Sequence, residues 1–275
     1  MIARGAAAKG PLGLPATVRA CLFDLDGVLT DTARLHAAAW KEMFDAYLEA
    51  RANEAGAAFA PFDELADYAA YVDGKSRSDG TISFLHSRGI ELPLGSRGVR
   101  LTSDSSYQTS DLTRNQGDMT ITRLGEYKNA IVMRRIRDGG VEPYPGSVYY
   151  VQAVRSAGLK TAVVSSSANC AEVLLSAGIA DLFQARIDGV TIEAQCLAGK
   201  PAPDPYLAAA AALGIEPCAA AVFEDSLPGV RAGRAGGFGW VVGVDRVGQT
   251  EDLLADGADQ VVLDLGDLLS KNAPS

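Results

Sequence analysis

From Pro145 onward the chain repeats one texture: a short, almost unbroken apolar run, then a stretch with the composition of a helix. Residues 158–164 (GLKTAVV) predict a strand, and residues 168–177 predict a helix stopped by Gly178. Asp204-Pro205 reads as a helix cap followed by a first-turn proline, and the body YLAAAAALG ends at Gly214. Residues 219–223, 240–244 and 260–263 supply further apolar strands, with a helix ending near Gly236-Gly237 among them. Strands that are apolar along their whole length must be covered on both faces, which calls for a parallel sheet between layers of helices. One more such strand, residues 19–23, stands far upstream. Between it and the repeat lies a stretch richer in charge and aromatic residues, with helix-like runs such as LHAAAWKEMFDAYLEA. The expectation is an α/β core of residues 18–33 and 142–270, interrupted by a helical insertion of residues 34–141. Residues 1–17 are expected to be a flexible N-terminal tail and residues 271–275 a C-terminal tail.

Composition narrows the class of partner. Lys and Arg total 25 against 34 Asp and Glu, a net charge of -9, which disfavours general binding to a nucleic-acid backbone. No run approaches the roughly 20 apolar residues that cross a bilayer, and the N-terminal MIARGAAAKGPLGLP lacks the apolar centre of a secretory signal. The four cysteines, Cys21, Cys170, Cys196 and Cys218, have neither CxxC nor His-paired zinc spacing. A monomeric protein of the reducing cytoplasm, with no nucleic-acid or membrane partner, is expected.

The first strand runs into FDLDGVLTDTARLHAAAW, from Phe23 to Trp40. Residues two apart on a strand share a side, so Asp24 and Asp26 face together beyond the strand end while Leu25 turns to the core. Ligands of open parallel sheets bind at such carboxyl ends. Gly27 then allows a sharp turn. Taken alone, DxDG is equally a simple turn. A calcium loop would need a bidentate Glu at its twelfth position, where this chain has Leu35.

Three later strand ends complete the pattern. Ser165-Ser-Ser-Ala-Asn169 places hydroxyls at a helix start, where anions bind, although alone it reads first as a helix cap. Gly199-Lys-Pro-Ala-Pro-Asp204 holds Lys200 between a glycine and two prolines, a rigid cation for phosphate oxygens or, alone, a solvated surface lysine. Phe223-Glu-Asp-Ser226 adds two carboxylates after an apolar strand. Asp24, Asp26, Glu224 and Asp225 gathered at one sheet edge would repel one another unless a cation joined them, and Mg²⁺ suits carboxylates, water and phosphate oxygens together.

In this order, the four segments resemble the motifs of the haloacid dehalogenase superfamily of phosphotransferases. FDLDGVLTDTARLHAAAW and VDGKSRSD are similar to the β-phosphoglucomutase group within it, over residues 20–263. The resemblance implies a Rossmann-like parallel sheet core with an inserted helical cap domain. It implies that Asp24 is the nucleophile, taking a phosphoryl group as an aspartyl phosphate, and Asp26 the general acid and base. It places Mg²⁺ on Asp24, the main-chain carbonyl of Asp26 and Asp225, with Glu224 beside them. Ser165, Ser166 and Lys200 would hold the transferring phosphoryl group. Thr32, His36, Gly74, Ser76, Arg77, Lys128, Ser167 and Asn169 match cap, hinge and second-phosphate positions of the group. By themselves His36 also reads as a satisfied buried histidine and Arg77 as a surface salt-bridge residue.

The activity implied is a mutase of β-D-glucose 1-phosphate and glucose 6-phosphate working through a bisphosphate. A sugar-phosphate phosphatase of the same fold and an inactive sugar-phosphate-binding module are the alternatives. Two positions depart from the group: Asp73 and Ala168 stand where it commonly carries lysine, removing cations from the second-phosphate pocket. Lys75 and Lys128 are candidates to compensate, and the insertion is longer than is usual in the group.

Overall fold

A computed structural model of the chain describes residue 10 and residues 12–95 and 118–270. Part of the expected insertion, residues 96–117, lies outside them, as do residues 271–275. The chain separates into two compact units, one of Met1–Asp31 with Val141–Ser275, the other of Thr32–Gly140. In chain order, β1 (Ala20–Phe23) is followed by the helices of the second unit, α1 (Ala33–Ala55), α2 (Arg77–Ser87) and α3 (Ile121–Gly139). The first unit resumes with α4 (Pro145–Ser156), β2 (Lys160–Val164), α5 (Cys170–Ser176), β3 (Ala185–Ile187), α6 (Gly189–Ala194) and α7 (Asp204–Leu213). It ends with β4 (Ala220–Glu224), α8 (Leu227–Ala235), β5 (Trp240–Val244), α9 (Thr250–Ala255), β6 (Gln260–Val262) and α10 (Asp267–Ser270).

The six strands form one parallel sheet in the order β3-β2-β1-β4-β5-β6. Register aligns Phe23 with Val163 on one side and with Phe223 on the other, so β1, β2 and β4 end level with each other. Alternation divides the side chains between the faces. Ala20, Leu22, Ala162, Val164 and Val222 pack with Tyr206, Ala209 and Ala210 of α7 and Val230 of α8. On the other face Phe23 stacks on Phe223 with ring centroids 4.5 Å apart, and Tyr150 of α4 meets both rings edge-on. The fold is the expected helix-flanked parallel sheet.

Three local readings change. β3 went unrecognised because it is a three-residue edge strand with Arg186 at its middle, leaving no apolar run to see. α5 starts later than expected, since Ser165 Oγ accepts the Ser167 amide and Ser167 Oγ accepts the Asn169 amide, holding the segment in turns. Residues 12–17, expected to be loose, are anchored instead: Leu14 is buried, Gly13 lies against Leu268, and the Tyr150 hydroxyl donates to the Leu12 carbonyl at 2.9 Å.

The second unit is helical around an aromatic core. Trp40 and Phe44 of α1 stack at 5.2 Å, and Phe44 meets Phe84 of α2 at 4.2 Å and Phe62 at 5.4 Å. Gly56 ends α1 with a φ of 61°, and the Thr120 hydroxyl caps α3 by accepting the Arg123 amide. Phe44 is fully buried within this stack. Phe44→Ala is expected to destabilise the protein by about 3–5 kcal/mol, read as a lower midpoint in chemical denaturation.

Candidate active site

The loops that follow β1, β2 and β4 emerge together at the sheet's carboxyl edge. Asp24 directly follows β1, its amide donating to the Phe223 carbonyl at 2.9 Å. After it the chain folds back on itself: the Gly27 amide donates to Thr30 O at 2.8 Å and the Thr30 hydroxyl donates to Leu25 O at 3.2 Å. Gly27 has a φ of 88°, and a Cβ there would fall 1.8 Å from Asp225 Oδ2. This position needs glycine twice over, for its left-handed backbone and for the carboxylate against it.

Lys200 sits at the centre, with only 1% of its side chain exposed. Its Nζ donates to Asp24 Oδ1 and Glu224 Oε1, both at 2.5 Å, and to the Val164 carbonyl at 3.2 Å. Far from being a solvated surface lysine, it is a buried cation shared by two carboxylates. Burial works against the charge on Lys200, but Asp24 and Glu224 outweigh it and hold its pKa above the usual lysine value. Burial also pushes the Asp24 carboxyl well up; Lys200 opposes this, while Glu224 and Asp26 add to it.

Glu224 has every lone pair engaged. Its Oε1 accepts from Lys200 and from the Tyr206 hydroxyl at 2.7 Å; its Oε2 accepts from the Ser226 hydroxyl at 2.9 Å and the Ser226 amide at 3.2 Å. Glu224 therefore serves as the anchor of Lys200. Oxygen atoms of Asp24, Glu224 and Asp225 lie within 4.8 Å of one another. With Glu224 occupied, Asp24 and Asp225 are the carboxylates best able to face a cation, and an all-oxygen, anionic donor set fits a hard divalent ion. The Asp26 side chain accepts a 3.4 Å hydrogen bond from the Ser165 hydroxyl.

Ser165 is buried, and its amide donates to Ile187 O at 2.9 Å. The close packing of this loop depends on Gly189, where a Cβ would lie 2.7 Å from Ser166 O and from the Ala168 amide nitrogen. α5 is seven residues long, and Asn169 at its start makes no side-chain cap bond.

A family model for haloacid dehalogenase-like hydrolases matches residues 18–237, four fifths of the chain. The chain belongs to this family. It is 52% identical over 261 residues to a β-phosphoglucomutase of Mycobacterium bovis, covering 94% of both chains. It is 30% identical to a β-phosphoglucomutase of Bacillus subtilis, covering 91% of this chain and 92% of that one. Among solved structures, a β-phosphoglucomutase from Clostridium difficile superposes with a TM-score of 0.66 at 25% identity, over 91% of this chain and 93% of the other. The chain is an enzyme of the haloacid dehalogenase family.

The remaining candidates of this family member lie in its second unit and are tied into it. Thr32 is buried at the start of α1 and its carbonyl accepts the His36 amide at 2.8 Å. His36 and Lys128 are both buried, Lys128 Nζ lying 2.6 Å from His36 Nδ1 and 4.9 Å from the centre of the Trp40 ring. Gly74 has a φ of 66° ahead of Ser76, whose hydroxyl caps α2 by accepting the Asp79 amide. Arg77 donates to Asn129 Oδ1 at 3.0 Å and Gly125 O at 3.3 Å, bracing α2 against α3. Lys75 Nζ donates to Ser83 Oγ at 2.9 Å.

Tyr206 and Ser226 are members of the site that the sequence reading passed over. The signal was available: Tyr206 lies on the same α7 face as Ala209, Ala210 and Leu213, and a hydroxyl on a face turned to the sheet needs a polar partner there. Glu224→Ala should cost about 3–5 kcal/mol, because it takes one of two carboxylates from a buried cation. Asp225→Asn should leave the melting temperature without metal nearly unchanged while abolishing any rise on adding Mg²⁺. Thermal unfolding of both variants with and without Mg²⁺ checks the pair.

Proposed function

We propose that this enzyme is a β-phosphoglucomutase, interconverting β-D-glucose 1-phosphate and glucose 6-phosphate by way of an aspartyl phosphate and a bisphosphate. One observation carries the chemistry: the buried Lys200 ammonium 2.5 Å from Asp24 Oδ1. In this reading that contact holds the nucleophile's carboxylate and offers a cation to the phosphoryl oxygens. The choice of sugar rests on likeness to the β-phosphoglucomutases named above, extending over almost the whole chain.

In this reading an oxygen of Asp24 attacks one phosphorus of the bisphosphate, and the sugar oxygen leaves as Asp26 protonates it, giving the aspartyl phosphate and a glucose monophosphate. The free hydroxyl of a glucose monophosphate phosphorylated at the other position then attacks the aspartyl phosphate, the Asp24 carboxylate leaves, and Asp26 takes the hydroxyl proton, so that the bisphosphate forms again. Ser165 and Lys200 hold the phosphoryl oxygens, and Ser166 lies in the same loop. Asp24, the Asp26 carbonyl and Asp225 would hold Mg²⁺, which when bound neutralises charge on the transferring group. Phosphoryl transfer needs little beyond such positioning and neutralisation, so this inventory is sufficient. Arg77, whose planar fork suits phosphate, is assigned the phosphate that is not transferred.

The test supplies β-glucose 1-phosphate, Mg²⁺ and a trace of the 1,6-bisphosphate, with products followed by NMR. Glucose 6-phosphate is expected; glucose with free phosphate would replace the mutase by a phosphatase. Asp24→Asn should reduce turnover of both sugar and aryl phosphates to background, since the proposed covalent intermediate forms on the Asp24 carboxylate. Arg77→Ala should lower mutase kcat/KM by about 10–100-fold, the worth of one or two charged hydrogen bonds, and change hydrolysis of a small aryl phosphate far less. Equal losses on the two substrates would remove Arg77 from phosphate recognition.

A further inference from the structure

The loop between β5 and α9 carries none of the assigned residues, yet it grips both acidic loops by their main chains. Gln249 Nε2 donates to the Asp225 carbonyl at 2.9 Å. Arg246 Nε donates to the Gly27 carbonyl at 2.8 Å, and its Nη1 donates to the Leu263 carbonyl at 2.8 Å and to Asp264 Oδ2 at 3.5 Å. The guanidinium also stacks on Tyr144, 3.7 Å from the ring centre, and the Tyr144 hydroxyl donates to Asp31 Oδ1 at 2.9 Å. Gly27 and Asp225, the two residues held by their carbonyls, are the same two that touch, the Gly27 α-carbon lying against the Asp225 carboxylate.

The loop itself is stiff. Asp245, buried at the end of β5, accepts the amides of Val247, Gly248 and Gln249 at 3.1, 2.7 and 2.9 Å on Oδ1, and the Thr250 hydroxyl at 2.5 Å on Oδ2. Burial raises the Asp245 carboxyl, but these four donors outweigh it and hold its pKa below the usual carboxylate value. A carboxylate saturated by its own loop leaves the Arg246 and Gln249 side chains little choice of direction.

We propose that Gln249 and Arg246 are positioning residues that set the gap between the Asp24–Gly27 turn and Asp225, and so the affinity for the divalent cation. The proposal rests on the metal assignment made above. Neither residue contacts the cation; they act on the main chain that carries its ligands, as outer partners of a metal site do. Removing such partners commonly weakens metal binding by about 10–100-fold.

Mg²⁺ titration of the full-length protein by calorimetry, alongside the Mg²⁺ dependence of turnover, tests this. Gln249→Met keeps the side-chain length and deletes the donor; it should raise the Mg²⁺ Kd about tenfold, with most of kcat regained at saturating Mg²⁺. Arg246→Lys should fall between the parent and Gln249→Met, since a lysine can still reach one carbonyl. Val247→Ala, in the same loop but exposed, should bind Mg²⁺ like the parent. Folded Gln249→Met and Arg246→Lys proteins with the parental Kd would overturn the clamp while Asp225→Asn still abolishes binding. If Asp225→Asn also binds Mg²⁺ normally, the metal assignment itself fails and takes the clamp with it.

Discussion

Lys200 is the hinge of the whole arrangement. A lysine with its ammonium buried is unfavourable unless carboxylates surround it, and carboxylates packed as closely as Asp24 and Glu224 are unfavourable without a cation. Each group makes the others admissible. Glu224 in turn is fixed because Tyr206 and Ser226 fill its remaining lone pairs. The direction of dependence runs from the apolar core outward: α7 packs against the sheet, Tyr206 travels with it, Glu224 is fastened, Lys200 is aimed, and Asp24 is presented.

The sheet order explains why these residues meet. Strand β1 is joined by β2 and β3 on one side and by β4, β5 and β6 on the other, so the direction of winding reverses beside β1. Parallel α/β sheets bind ligands at such reversals, where loops diverge and leave room. Asp24 leaves β1, Ser165 leaves β2, and Glu224 and Asp225 stand at the end of β4, which are the three central strands. Their level ends, fixed by the register of Phe23 with Val163 and Phe223, bring chemistry from three sequence segments to one edge.

Much of this was legible beforehand. Continuous apolar runs announced the parallel sheet, and the carboxylates stood out because each follows such a run without a helix's need for them. Gly214 and the Asp204-Pro205 pair marked α7 almost to the residue. What escaped notice was what periodicity cannot carry. β3 is too short to have a pattern, and the anchoring of Leu12 and Gly13 depends on α4 and α10, which are far away along the chain. The bond from Tyr206 to Glu224 spans elements whose neighbourhood only the folded sheet defines. The serine loop misled in a different way, for its hydroxyls serve their own backbone as well as Asp26.

The stem from which the second unit springs has a consequence of its own. Thr30 bridges Pro143 in antiparallel fashion, the Asp31 amide donates to Glu142 O at 3.1 Å, and the Tyr144 amide donates to Leu29 O at 2.9 Å. The outgoing and returning strands of chain are zipped together inside the first unit, and the Ser147 hydroxyl adds a rivet on Val28 O at 2.6 Å. A module hung on a closed stem can be lengthened, trimmed or exchanged without reopening the sheet beneath it. Lineages built on this plan are thus free to vary the inserted module while inheriting the sheet and its carboxyl edge intact.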